Sequence, residues 1–145
     1  KKGHEGVYCG NAIELKDGTI ITGNNSSLMH AAASAVLNAT KHLAGIPDKI
    51  HLISPNIIEA IGNMKKDIKD GKSISLNLEE ALIAVGASAP FNSAAQLAIE
   101  QLGNLRGCDM HSTHIPTPGD EAGLRTVGLH LTSDPFFSTD NLYVV

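Results

Sequence analysis

Lys16-Asp17-Gly18-Thr19-Ile20-Ile21-Thr22-Gly23-Asn24-Asn25-Ser26-Ser27-Leu28-Met29-His30-Ala31 decides the architecture of this chain. Asp17-Gly18 is a tight-turn dipeptide between two β-patterned runs, Val7 to Leu15 and Thr19 to Thr22, and predicts a β-hairpin. From Ser27 the pattern changes period. Leu28, Ala31, Ala35, Val36, Ala39 and Leu43 recur at helical spacing, with Ser26 or Ser27 as N-cap and Gly45 as stop. The small Ala face suits close packing on a sheet.

Working outward, Ile50-His51-Leu52-Ile53 reads as a short strand. Ser54-Pro55 opens a second helix to about Asp70, with Ile57, Ile58, Ile61, Met64 and Ile68 facing inward. Asn77-Leu78-Glu79-Glu80 has capping-box form and starts a helix that reaches about Ala87. Pro90-Phe91-Asn92 breaks it, and a further helix spans Ser93 to Leu102. Cys108 to Ser112 is extended, Asp120 to Val127 is a short helix, Leu129 to Thr132 is a strand, and Asn141 to Val145 is a candidate edge strand. A strand reached through a helix usually runs parallel to its predecessor, so this order predicts an α/β fold: a three-layer α-β-α sandwich with a mixed sheet. Ligands in such folds bind beyond the carboxyl ends of strands. The loops Gly23 to Ser27, Ser54 to Asn56, and His111 to Glu121 qualify.

The length of 145 residues suits one domain spanning 1–145, large enough for a core without disulfides or a structural metal. A start at Lys1-Lys2-Gly3-His4, without Met, raises the expectation of a domain from a longer protein. With 42% hydrophobic and 18% charged residues and no long apolar run, the composition is that of a soluble globular protein without a membrane span. A net charge of −4 with scattered Lys and Arg argues against nucleic-acid binding. Lys65, Lys66, Lys69 and Lys72 read as a solvated helix face. Two cysteines, Cys9 and Cys108, allow at most one disulfide and fit a reducing cytoplasm.

Chemistry is densest in Cys108 to Glu121. His111 and His114 are acid/base candidates beside Asp120 and Glu121, because imidazole transfers protons near neutral pH. Arg125 and Thr113 suit an anionic group, and Asn24, Asn25, Ser26 and Ser27 at a helix start supply further donors, with His30 and Asn56 nearby. Each has a structural counterpart: Asp120 and Glu121 charge the first turn of a helix, His30 is a hydrogen-bonded helix residue, and Cys9 is a small core side chain. Cys108, His111 and His114 have the spacing of metal ligands, but alternate residues of a strand face opposite ways, so no metal is assigned. No cofactor is identified.

With the hairpin, the following helix and these loops in place, the chain resembles the cytidine-deaminase-like fold. That family carries His-Ala-Glu on the helix after the hairpin and Pro-Cys-x-x-Cys at the next helix start. Here the positions read His30-Ala31-Ala32 and Pro55-Asn56-Ile57-Ile58-Glu59. The proton-shuttling Glu and both thiolates are absent, so the resemblance implies the fold without zinc deaminase chemistry.

Asp17 to Gly23, His42 to Pro47 and Thr113 to Arg125 are similar to the C-terminal domain of a widespread bacterial family of unknown function. That resemblance implies multidomain cytoplasmic parents, some labelled ATP-dependent peptidases. No Walker loop, His-Glu-x-x-His or Gly-x-Ser-x-Gly supports that label in this chain. The expected function is the ligand-binding domain of a cytoplasmic enzyme acting on a small anionic metabolite, nucleotide-like or phosphorylated. The alternative is a non-catalytic deaminase-like module for assembly or regulation. Expected partners are the N-terminal domains of the parent protein and a small anionic ligand, with a homo-oligomer left open; nucleic acid and membrane are not expected.

Overall fold

The computed structural model describes residues 9–68 and 75–137. The hairpin strands are β1 (Gly10–Glu14) and β2 (Ile20–Asn24), paired antiparallel so that Ile13 faces Ile21. Gly18 takes a left-handed φ of 89° in the turn, and the Asp17 carboxylate accepts the Thr19 N–H at 3.0 Å. The remaining elements are α1 (Ala31–Ala44), α2 (Pro55–Ile68), α3 (Leu78–Ser88), α4 (Ser93–Gln101), β3 (Asp109–Ser112), α5 (Pro118–Val127) and β4 (His130–Ser133). Short 3-10 turns at Ala89–Phe91 and Leu102–Leu105 follow α3 and α4.

Sheet order is β2-β1-β3-β4, with β1 antiparallel to both neighbours and β3 parallel to β4. The parallel pair is the one joined through a helix, α5, as the crossover rule requires. Alternation then sorts the faces. Asn11, Ile13, Met110 and Ser112 point into the core, whereas Glu14, Asp109, His111 and His130 point outward and are exposed. The core is filled by Ile13, Val36, Leu76, Leu78, Leu105 and Met110, all essentially inaccessible. Helix α1 covers the inner face. Expected helices on both faces reduce, among the described residues, to a mixed sheet with one covered face.

Three local expectations change. Ile50 to Ile53 forms no strand: the chain returns to the helical layer, Leu52 and Ile53 bury their side chains, and the carbonyls of His51 and Leu52 accept from Asn92 Nδ2 at 3.0 and 3.4 Å. Helix α1 starts at Ala31 rather than at Ser27. Residues 28 to 30 are held extended against Leu76, whose N–H donates to Leu28 O at 2.9 Å and whose carbonyl accepts the His30 N–H at 2.7 Å. Ser26 instead caps a tight turn, its Oγ accepting from Leu28 and Met29 N–H.

Helix α2 buries Ile58, Gly62 and Lys65, leaving Ile57, Met64 and Ile68 at the surface. A lysine can replace an isoleucine inside only when its charge is matched. Lys65 Nζ donates to Glu80 Oε1 and to Ser75 O, each at 2.7 Å. The same Glu80 oxygen accepts the Asn77 N–H at 2.9 Å, while Asn77 Oδ1 accepts the Glu80 N–H at 2.9 Å, completing the capping box of α3. Lys65 therefore departs from the expected solvated face; Lys66 is exposed, and Lys69 and Lys72, like the first two residues of the strand expected from Val7 and the strand expected at Asn141 to Val145, lie outside the described residues.

Candidate functional site

Because β1 runs opposite to its neighbours, its N-terminal end meets the C-terminal ends of β2, β3 and β4 at one rim of the sheet. Gly10 N–H donates to Thr113 Oγ1 at 2.9 Å, and Thr113 N–H returns a bond to Gly10 O at 2.9 Å. Asn25 Oδ1 accepts the Cys9 N–H at 3.0 Å on the other flank. The loops after β2 and β3 therefore clasp the start of β1.

At this rim His30 and Asp120 meet. Asp120 lies in the first turn of α5, which begins at Pro118 because Thr117 Oγ1 accepts the Asp120 N–H at 3.3 Å. Its carboxylate is buried and used twice: Oδ2 accepts from His30 Nδ1 at 2.9 Å, and Oδ1 accepts the buried Leu78 N–H at 2.8 Å. With Nδ1 carrying the proton, Nε2 of His30 is the basic nitrogen, and it has no hydrogen-bond partner among the described residues. The approach of α5 to α3 depends on glycine. A Cβ at Gly119 would strike the Asn77 amide, and one at Gly123 would stand 2.6 Å from Leu78 Cγ.

His114 is fixed at the same rim. Thr113 Oγ1, which accepts the Gly10 N–H, also shares a hydrogen bond of 2.7 Å with His114 Nδ1, fixing the ring through that nitrogen and leaving Nε2 on its far side. Ser112 Oγ donates to His114 O at 2.6 Å and accepts the His114 N–H at 3.2 Å.

Of the residues singled out in the sequence, His30, Asp120, Thr113, His114, Asn25 and Ser26 belong to this rim, with Asn24 at the end of β2 and Ser27 exposed in the same loop. His111 lies on the bare outer face, hydrogen-bonded to Thr132 at 2.7 Å and 3.3 Å from Asp134. Glu121 and Arg125 pair with each other at 2.6 Å on the exposed side of α5, and Asn56 is exposed in the first turn of α2. Among the described residues no group of three His, Cys, Asp or Glu side chains could hold a metal; Cys108 is buried against Asn104 O, away from His111 on the outer face.

Asn11 and Lys41 carry signals that the sequence reading passed over, and Cys9, read there as a small core side chain, is only half-buried. Asn11 is a polar residue on the inward alternation with Ile13, and its buried Oδ1 has no hydrogen-bond partner among the described residues. Cys9 sits two residues before it; burial, and secondarily the charge of Asp120, push its thiol pKa up. Lys41 is buried in the last turn of α1, its Nζ donating to Asp48 O at 2.6 Å.

Burial pulls the Lys41 ammonium below the ordinary lysine value of 10.5, against a smaller opposing pull from Asp48. The native state then binds fewer protons than the unfolded chain between the folded pKa and 10.5, so native stability rises with pH through that window. The urea midpoint of the wild type is expected to climb relative to that of Lys41→Met as pH is raised through that window. A constant difference across the range would show that Lys41 titrates alike in both states.

A model of the family described as "Domain of unknown function DUF1846, C-terminal" matches residues 1–143. The chain is 48% identical over 132 residues to a UPF0371 protein of Clostridium botulinum strain Alaska E43, covering 91% of this chain and 26% of that protein. It is 46% identical over 137 residues to a UPF0371 protein of Clostridium tetani, covering 94% and 27%, and 49% identical over 134 residues to one of Corynebacterium diphtheriae, covering 92% and 27%. The chain thus spans about a quarter of the length of these curated relatives. No helix among the described residues is long and apolar enough to cross a membrane.

Proposed function

Because the chain belongs to the family of DUF1846 C-terminal domains, and its relatives are about four times its aligned length, we propose that it is the acid–base and ligand-orienting domain of a larger cytoplasmic enzyme. The substrate class is a small anionic metabolite, nucleotide-like or phosphorylated. The observation that carries the reading is the bond of His30 Nδ1 to a carboxylate already locked by a buried backbone donor. Such a carboxylate orients the imidazole and leaves Nε2 to take a proton from substrate and return it. His114, whose ring is held through Nδ1, and the Asn24 to Ser27 loop supply hydrogen bonds to the substrate. His111, Glu121, Arg125 and Asn56, placed elsewhere, are not needed for this step.

The same reading takes the shape as deaminase-like, with His30 opening the helix after the hairpin. The bare outer face of the sheet is then covered within the parent protein, completing the three-layer sandwich. Zinc deamination is not part of the proposal, because Ala32, Asn56 and Glu59 stand where that chemistry needs a glutamate and two thiolates. The reading of a non-catalytic assembly module has one observation of its own, the exposed apolar stripe of Ile57, Met64 and Ile68 on α2.

The test begins with thermal-shift titrations of the full-length protein against nucleoside monophosphates and sugar phosphates, followed by turnover assays with whichever compound stabilises it. His30→Gln is expected to keep the ligand-induced shift while turnover falls by about 10²–10⁴-fold. Wild-type turnover in that variant, or no stabilisation by any of these compounds, would reject the proposal.

A further inference from the structure

A cleft of about 580 Å³ opens on the other side of the Asn24 to Ser26 loop, between the free edge of β2, α1 and the segment from Ile50 to Ile58. We propose that it binds a small anion carried on an apolar group, with Lys41 as the charge anchor. The inference goes beyond the acid–base role of His30 and stands if that role fails.

Charge is the first support. In a chain of net charge −4, none of the residues lining the cleft is a carboxylate. Its wall carries Lys41 and His51, together with the neutral polar side chains of Asn24, Ser26, Ser34 and Asn38. Lys41 is only 8% exposed, and among the described residues its one hydrogen-bond partner is a backbone carbonyl, Asp48 O. An ammonium has three donors, and burying its charge is costly; the nearby Asp48 offsets that cost only in part. A lysine serving only as a favourable charge at the end of α1 would gain the same from an exposed position. Its burial in an acid-free wall is what a bound anion accounts for.

Shape and polarity give the second support. The rest of the lining is largely apolar and includes Leu28, Leu37, Leu52, Ile53 and Ile58. The volume falls within the roughly 300–1,000 Å³ of small-molecule sites, which pair apolar walls with a few placed polar groups. A neighbouring cleft of about 600 Å³ shares Thr22, Asn38 and Lys41 but has Asp48 on its wall, which disfavours an anion there. The ligand is therefore assigned to the acid-free side.

Calorimetric titration of the full-length protein with phenyl phosphate, inorganic phosphate and phenol tests the assignment. Phenyl phosphate is expected to bind, inorganic phosphate to bind more weakly, and phenol not to bind. Lys41→Met is expected to weaken phenyl phosphate by about tenfold or more. Leu28→Glu, which adds a carboxylate at a position 44% exposed and so leaves folding intact, is expected to weaken it likewise. His30→Gln leaves phenyl phosphate binding unchanged, separating this site from the acid–base pair. The inference is overturned if wild-type protein fails to bind phenyl phosphate, if inorganic phosphate or phenol binds equally well, or if Leu28→Glu binds phenyl phosphate with wild-type affinity.

Discussion

Asp120→Ala is expected to lower the free energy of unfolding by about 3 kcal/mol, the combined loss of a charge-assisted bond and the stranding of a buried donor. The donor is the Leu78 N–H at the start of α3, which has Asp120 Oδ1 as its acceptor at 2.8 Å. The charge-assisted partner is His30, and both side chains are largely shielded, so water compensates poorly when the carboxylate goes. Against total stabilities of roughly 5–15 kcal/mol, that loss is large. Asp120→Asn keeps an oxygen for Leu78 and is expected to lose about 1 kcal/mol, the ordinary value of one hydrogen bond. Urea denaturation of the set measures both. Equal stability of Asp120→Ala and wild type would mean that the carboxylate is not the joint between α1, α3 and α5.

Gly23→Ala should be at least as damaging, about 3 kcal/mol, for a reason of space alone. The added methyl would overlap the backbone of Ser34 and Ala35, and a helix backbone, unlike a long side chain, cannot swing away. Helix α1 would have to lift from β2, opening the Ala-lined seam that the core rests on. Gly10→Ala is the control, because there a Cβ meets Thr113 Cγ2 at 3.7 Å, an ordinary contact, and stability should barely change. Both variants are compared by urea midpoint, and the prediction fails if the two shift alike.

What was legible in the sequence was local. Asp17-Gly18 specifies a turn through backbone geometry within four residues, and the structure builds its hairpin there. Asn77 and Glu80 satisfy each other across one helical turn, so the capping box could be read directly. Gly45, at φ 71°, ends α1 as expected. What failed depended on partners distant in sequence. The apolar run from Ile50 to Ile53 has strand composition, but the choice between ladder and loop was made by Asn92 taking its carbonyls. The inward face of α2 was read in part: Ile58 is buried as expected, but Lys65 takes a buried place because it is matched by Glu80 on another helix, and only that match makes a buried ammonium tolerable.

The site divides in the same way. Loops following strands were expected at one rim, and those after β2 and β3 meet there. Asp120 reads in sequence as a favourable charge at the start of a helix, and nothing near it announces His30, ninety residues away. Asn11 was the readable signal that went unused, an amide on the inward phase of a strand whose neighbours are apolar. Lys41 gave no such sign, since a lysine in the last turn of a helix is ordinary until its burial is known.

The order of the sheet also bears on how the chain reaches its native state. Strand β1 closes on β2 through a turn of a few residues, yet its other edge must wait for β3, since Asn11 pairs with Ser112. A loop that long costs entropy before its contacts repay anything, which slows folding. During synthesis the hairpin and the first four helices emerge with one strand edge still open. Only when the segment around Ser112 leaves the ribosome can that edge be sealed.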